Sequence, residues 1–242
     1  GGLPPSLSSP LPLSPAPPPL PAATSPQTES AMFRQARFWD RVALHYAGES
    51  ITDLTGYERS LRRVGELLGS GHEVLEIGCG TGATALRLAP GVRRLHATDV
   101  SGRMIAIARQ RWHAQPMAQL SFEQADASTA AAAPAAYDRV LAFNLLHLLT
   151  DLDRALAAVA ATLRPGGLFI SKTACVAEMN PLVPHLIVPL MRALGRAPAL
   201  LCLNESGLVR ALAGSGLDVI AIERHGPTRR DIRAFIDARQ PG

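Results

Sequence analysis

The stretch Val74–Gly82 reads VLEIGCGTG, an apolar run followed at once by a loop with three glycines. The run Glu73–Ile77 is typical of a buried strand. Glycines are needed where the backbone turns sharply and where a ligand must touch it without an intervening Cβ, which is the role expected of Gly78 and Gly80. The next run, Ala83–Ala89, predicts a helix whose free N–H groups and positive dipole end suit a carboxylate or phosphate. This unit therefore predicts a ligand site where a strand meets a helix.

Strands and helices alternate on both sides of this unit, and such alternation builds a parallel sheet through right-handed crossovers. Two short strand-like runs separated by His225-Gly226-Pro227 predict a terminal hairpin. The predicted fold is α/β, a doubly wound, mostly parallel seven-stranded sheet with helices on both faces and a C-terminal antiparallel hairpin. The predicted helices are 31–47, 57–68, 83–89, 103–113, 152–163 and 205–213, and the predicted strands are 73–77, 94–98, 120–123, 137–143, 168–173, 217–223 and 232–238.

Composition divides the chain into a tail and one folded domain. Residues 1–29 hold half of the chain's 20 prolines and almost no charge, which predicts a Pro-rich disordered tail. Residues 30–242 are expected to form a single domain. Within that domain, residues 177–203 carry many aliphatic side chains between prolines, and we expect a lid on the substrate side, with plain packing on the sheet as the alternative.

The overall composition excludes several classes of protein. A hydrophobic content of 47% and a charged content of 18% exclude a disordered chain. The net charge of +4, without a dense basic run, argues against a nucleic-acid partner. No apolar run reaches the roughly 18 residues needed to cross a bilayer, so no stable membrane insertion is expected. The 3 cysteines predict a reducing, cytoplasmic setting, with Cys175 and Cys202 as buried packing groups.

A carboxylate at the end of the second predicted strand completes the ligand pattern. Asp99 stands there, and a carboxylate in that position can accept hydrogen bonds from both hydroxyls of a ribose. Strand, glycine loop, helix, strand and acid together predict a nucleoside-containing cofactor. The spacing Gly78-x-Gly80-x-x-Ala83 also fits the dinucleotide pattern, so the glycines alone leave the identity of the nucleoside open.

Five motifs in order narrow that choice. Glu76 stands two residues before Gly78, where a pyrophosphate site would gain nothing from a carboxylate. The other four are Asp99 with Val100 and Met104, Asp126-Ala127 after the third strand, Phe143–His147 (FNLLH) after the fourth, and Leu163–Gly167 (LRPGG) before the fifth. Over Ser30–Arg239, the chain resembles the class I S-adenosylmethionine-dependent methyltransferases, especially the bacterial small-molecule members.

The resemblance implies S-adenosylmethionine as cofactor, S-adenosylhomocysteine as product, and a set of binding residues. Gly78 and Gly80 would let the backbone approach the methionine part of the cofactor, and Glu76 would order the loop and the methionine ammonium. Asp99 would bind the ribose. Val100 and Met104 would form an apolar surface under the adenine. Asp126 and the Ala127 backbone would bind the adenine amino group, unless Asp126 only caps a turn. Asn144 would contribute its backbone carbonyl, and the ring of Tyr46 would either cover the cofactor carboxylate or lie in the core.

The resemblance also implies in-line methyl transfer. The sequence lacks the acidic run with which catechol-type members hold magnesium, which favours a small-molecule acceptor methylated on O, N or C without a metal. The aliphatic segment 177–203 predicts that this acceptor is largely apolar. His147 is the candidate catalytic base, with a structural histidine as the alternative. His185 and Asn144 are the other polar groups expected near the acceptor. One competing hypothesis is a nicotinamide-dependent oxidoreductase. One large class of these enzymes needs a Tyr-x-x-x-Lys motif, but Leu168 stands four residues before Lys172, where the motif requires tyrosine. The other is a non-catalytic protein that binds the cofactor.

Overall fold

The computed structural model describes residues 26–49, 51–130, 134–178, 200–226 and 232–242, with side chains from Phe33 onward. Its strands are β1 (Glu73–Ile77), β2 (Arg94–Asp99), β3 (Leu120–Gln124), β4 (Tyr137–Phe143), β5 (Leu163–Ala174), β6 (Asp218–Arg224) and β7 (Arg233–Arg239). They form one seven-stranded sheet in the order β3-β2-β1-β4-β5-β7-β6. The pairs among β1 to β5 are parallel, and β7 pairs antiparallel with both β5 and β6. The predicted fold class is confirmed.

Helices cover both faces of the sheet and bury two separate apolar clusters. The helices are α1 (Pro26–Gly48), α2 (Leu54–Leu67), α3 (Ala83–Leu88), α4 (Gly102–Ala114), α5 (Leu152–Thr162) and α6 (Glu205–Gly214). One cluster joins α2, α3 and α4 to the sheet, and the other joins α5 and α6 to the opposite face. Val74 and Leu75 belong to different clusters because successive strand residues point to opposite faces. Asn204, the predicted N-cap of α6, accepts the Gly207 N–H at 2.7 Å.

The strand order places the ligand loop at a switch point. β2 and β3 lie on one side of β1, while β4 and β5 lie on the other. Chain connections therefore leave the carboxyl ends of β1 and β4 in opposite directions and open a crevice between them. The Cys79 N–H donates to the Thr98 carbonyl at 2.9 Å, which holds the glycine loop beside β2. Gly78, Asp99 and Asn144 consequently meet at this edge of the sheet.

Two elements begin five residues earlier than the sequence predicts. β5 begins at Leu163 rather than Leu168, because the expected Pro-Gly-Gly turn is hydrogen-bonded on both sides: Leu163 pairs with Tyr137, and the Gly166 N–H donates to the Gln240 carbonyl at 2.9 Å. α1 begins at Pro26, inside the predicted tail, because the fixed φ of proline suits the first turn of a helix. The remainder of that tail, residues 1–25, lies outside the described residues, as do residues 179–199 of the predicted lid, including His185.

The expectation that both later cysteines are buried is wrong for one of them. Cys175 is buried, whereas Cys202 is exposed. Cys202 lies in an extended segment where Leu201 and Leu203 on either side are partly buried. Because side chains alternate along an extended backbone, turning the two leucines inward turns the cysteine out.

Candidate functional site

A cleft with about 670 Å³ of free space, part of it open to solvent, lies at the carboxyl ends of β1, β2 and β4. Nine of the ten predicted cofactor-binding residues line it: Tyr46, Gly78, Gly80, Asp99, Val100, Met104, Asp126, Ala127 and Asn144. The tenth, Glu76, lies behind the glycine loop on β1.

The glycines of the loop have different tasks, although all three have positive φ. A Cβ on Gly78 would approach Leu145 Cδ1 to 2.6 Å, and one on Gly82 would approach Phe122 Cε1 to 2.8 Å, so both positions are closed by packing. A Cβ on Gly80 would meet only Tyr46 Cε1, at 3.9 Å. Gly80 therefore presents bare backbone to the open cleft, as a cradle for a ligand requires.

Asp99 ties the loop to the start of α4 and also lines the cleft. Its Oδ2 accepts the Gly80 N–H and its Oδ1 accepts the Ser101 N–H, both at 2.9 Å. Burial raises the pKa of Asp99, and the two backbone hydrogen bonds oppose that rise. Each carboxylate oxygen has two lone pairs, so the side chain keeps acceptor capacity for ligand hydroxyls.

Glu76 is a buried acid with an unpaired oxygen. Its side chain is only 2% exposed, and Oε2 has no hydrogen-bond partner. Burial, with the nearby Asp99 carboxylate as the second cause, raises the pKa of Glu76 to about 8. Such a group gains stability from a cation brought by a ligand, which fits the ammonium group of S-adenosylmethionine.

The side of the cleft where the adenine is predicted to bind combines apolar and polar residues. Val100 and Met104 lie in the turn and first helical residues after β2 and line the cleft. Asp126 lines it too, yet its Oδ1 also accepts the Ser128 N–H at 2.9 Å and the Ser128 hydroxyl at 2.6 Å. The turn-capping role that the sequence left open is therefore present at Asp126 beside the lining role.

Asn144 and His147 both follow β4, but only Asn144 lines the cleft. Asn144 has a φ of 53°, and its N–H donates to the Lys172 carbonyl at 2.7 Å. His147 is partly buried and does not belong to the cleft lining; its Nδ1 has no hydrogen-bond partner. Burial and the charge of Arg233 lower the pKa of His147 to about 4, so its imidazole is neutral at neutral pH. Its catalytic role stays a prediction.

Helix α1 forms a wall of the cleft that the sequence analysis only partly anticipated. Gln35, Trp39 and Tyr46 line it, at a spacing that puts them on one helical stripe. Gln35 Nε2 donates to the Leu148 carbonyl at 2.5 Å. Asp40 Oδ1 accepts the Ser101 hydroxyl at 2.6 Å and a backbone N–H of α4 at 3.1 Å. Gln35, Ala125, Leu148 and Leu149 are lining residues that the sequence analysis missed.

The described part of the chain contains no group of three or more His, Cys, Asp or Glu side chains placed to hold a metal ion. In the same residues, no helix is both long and apolar enough to cross a membrane.

Comparison with known proteins agrees with this geometry. Residues 74–167, which run from the glycine loop to the start of β5, match a sequence family described as a methyltransferase domain. Over these residues, the chain is similar to methyltransferase domains. The fold agrees: an S-adenosylmethionine-dependent methyltransferase from Mesorhizobium loti superposes with a TM-score of 0.64 at 22% identity, covering 77% of this chain and 99% of that one.

Two curated relatives match part of the chain. The O-methyltransferase rstn1 of Aspergillus nomiae is 35% identical over 114 residues, which is 45% of this chain and 50% of that protein. The methyltransferase GfsG of Streptomyces halstedii is 34% identical over 126 residues, covering 50% of this chain and 42% of that protein. The chain thus spans about half the length of these two relatives.

Weakening the contact between α1 and α4 is expected to loosen the cleft wall. In Asp40→Ala, Ser101 and the start of α4 lose their acceptor on α1, and we expect S-adenosylhomocysteine to bind roughly three- to tenfold more weakly, as for one or two lost hydrogen bonds. Isothermal titration calorimetry measures this, with Asp153→Ala on the far face of the sheet as the control. Equal affinity in both variants would contradict a binding role for the α1 contact.

Proposed function

We propose that this protein transfers a methyl group from S-adenosylmethionine to a small-molecule acceptor. One observation carries the proposal: bare backbone at Gly80 and the carboxylates of Asp99 and Glu76 converge at the switch point of the sheet. S-adenosylmethionine has the matching groups, because it carries a ribose diol, an ammonium and an amino-acid chain slim enough to lie against backbone.

The chain's own residues divide the binding between them. Asp99 would accept the ribose hydroxyls with the lone pairs that its backbone contacts leave. Val100 and Met104 would lie against the adenine, with Asp126 and Ala127 at its polar edge. Glu76 would compensate the ammonium charge, since it has no ion pair with a basic side chain in the described residues.

When bound, the cofactor supplies a methyl group on a positively charged sulfonium, which is a good leaving group. The protein's task is alignment and exclusion of water, which contribute through proximity and a dry environment. Phe143, Leu145 and Leu148 form an apolar wall, and Trp39 faces the cleft from α1. This apolar wall supports the proposal that the acceptor is largely apolar. We propose that the acceptor is methylated on O, N or C without a metal.

The acceptor would find few polar groups. Asn144 lies in the cleft. His147, three residues further along the chain and neutral at neutral pH, is the candidate base. We further propose that the protein acts in the cytoplasm without nucleic-acid partners or stable membrane insertion. Its three free cysteines, one of them exposed, support a reducing compartment.

Two measurements test the proposed function. Calorimetry with S-adenosylmethionine, S-adenosylhomocysteine and NAD is expected to show binding of the first two alone; selective binding of NAD would favour the oxidoreductase. A panel of small molecules graded from polar to apolar is then incubated with S-adenosylmethionine, and release of S-adenosylhomocysteine is followed. Acceptor-dependent release from the apolar members supports the proposal. Tight binding without release from any member would favour a non-catalytic protein.

A further inference from the structure

Two carboxyl groups are buried close together beside the glycine loop, and neither forms an ion pair with a basic side chain of the described residues. Glu76 is 2% exposed and Asp99 is 9% exposed. They come from neighbouring strands, because Glu76 on β1 pairs with Ala97 on β2 two residues before Asp99. Asp99 is stabilised by two backbone N–H groups, whereas Glu76 Oε2 has no hydrogen-bond partner. Two like charges this close in a buried site cannot both ionise cheaply.

In the part of the chain that the structure describes, the titratable groups packed around the pair offer it no compensating positive charge. Cys79 of the loop and Tyr57 of α2 face Glu76, and Tyr46 of α1 faces Asp99. Burial raises the pKa of all three, so they remain uncharged near neutral pH. Asp40 of α1 adds negative charge near Asp99. The neighbouring arginines act on the tyrosines instead: Arg111 of α4 on Tyr46, and Arg87 of α3 on Tyr57. The acids Glu49 and Glu58 add further negative charge beside the same two tyrosines.

We propose that the Glu76–Asp99 pair holds one proton in the free protein, and that a ligand carrying an ammonium group releases this proton to the solvent when it binds. The inference rests on the proposed function, since it takes S-adenosylhomocysteine as the ligand. The step balances: the O–H bond of the Glu76 carboxyl breaks, the proton passes to buffer, and the carboxylate left behind pairs with the ammonium. Glu76 thereby selects for a ligand with an ammonium group, and does so more strongly as pH rises.

The pH dependence has a defined sign. Binding that releases one proton tightens about tenfold per pH unit while the free protein is protonated, and levels off once Glu76 ionises unaided. The pKa of about 8 for Glu76 puts the steep range between pH 6 and pH 7.5. The free protein has the opposite trend. A carboxyl whose pKa is raised on folding favours the folded state at low pH, so the melting temperature should fall as pH rises toward 8.

The experiment measures proton release directly. Calorimetric titration of S-adenosylhomocysteine at pH 7 in phosphate and in Tris, which differ in ionisation enthalpy, gives the number of protons exchanged. We expect a value close to one for the wild-type protein and close to zero for 5′-methylthioadenosine, which has the nucleoside without the amino acid. In Glu76→Gln the release should vanish. That variant should bind S-adenosylhomocysteine like the wild type at pH 6 and at least tenfold more weakly at pH 8.

The outcomes separate this inference from the proposed function. Binding of S-adenosylhomocysteine without proton release, or equal release in Glu76→Gln, overturns the inference alone. Failure to bind S-adenosylhomocysteine between pH 6 and pH 8 overturns the proposed function itself. Should Glu76→Gln not fold, the wild-type comparison between the two ligands still decides, because equal proton release by both would contradict a role for the ammonium.

Discussion

Replacing Asp99 by alanine is expected to raise the dissociation constant of S-adenosylhomocysteine by about 5- to 150-fold, equivalent to roughly 1–3 kcal/mol. The change removes the charged acceptor proposed for the ribose. It also removes the group that holds the Gly80 and Ser101 N–H groups at 2.9 Å, so the loop loses its anchor to the start of α4. Asp99→Asn should behave similarly, because the two N–H groups bind different carboxylate oxygens and an amide replaces one of these oxygens by an NH₂ donor.

The control for Asp99 is an equally buried carboxylate far from the cleft. Asp237 on β7 is 3% exposed and accepts from Arg63 at 2.9 Å. Asp237→Ala should lower the melting temperature without changing ligand affinity. Calorimetry and thermal melts of the two variants separate binding from folding, and a folded Asp99→Ala protein with wild-type affinity would remove Asp99 from the site.

Gly80→Val is expected to abolish cofactor binding while the circular-dichroism spectrum stays native. The new side chain would extend from a Cβ that meets only Tyr46, at 3.9 Å, and would fill the space proposed for the ligand. The backbone there has a φ of 55°, so valine also adds strain of about 1–2 kcal/mol. Because backbone strain by itself can weaken binding, the control variant must have the same strain at a position away from the cleft.

Gly166 provides that control. Its φ is 75°, and a Cβ added there meets no atom within 4 Å. Gly166→Val should therefore cost similar backbone strain far from the cleft and leave binding intact. Retained binding in Gly80→Val would show that the loop does not touch the ligand. Equal loss in both variants would assign the effect to strain.

The strands flanking the cleft were predictable because their signals are local. β1 and β4 have the predicted bounds, since continuous apolar runs next to glycine or Asn mark where a buried strand ends. The convergence of Gly80, Asp99 and Asn144 followed from parallel topology, which gathers the carboxyl ends of strands at one edge. The start of β5 was not predictable, because the hydrogen bonds that extend it come from residues 26 and 74 positions away in the chain.

Lys172 illustrates what no local pattern could indicate. As the chain's one lysine, it entered the sequence analysis only through a motif that it does not complete. In the fold it is 5% exposed, with Nζ donating to Ser60 Oγ at 2.9 Å and to the Gly56 carbonyl at 3.3 Å. Its own carbonyl holds the Asn144 N–H. The buried Lys172 thus links α2 to the segment after β4, which lines the cleft.

Local chemistry was enough to establish the sheet, the glycine loop and the carboxylates, because strand periodicity, positive φ at glycine and the position of an acid after a strand are all written within a few consecutive residues. The packing of α1 over the cleft and the protonation of Glu76 and Asp99 depend on contacts between residues far apart in the sequence. Gln35 reaches a carbonyl 113 residues away, and Asp40 meets Ser101 from 61 residues away. Among the described residues, none donates a hydrogen bond to Glu76 Oε2. Burial and pairing at such distances arise when the helices pack on the sheet, and no nearby residue in the sequence specifies them.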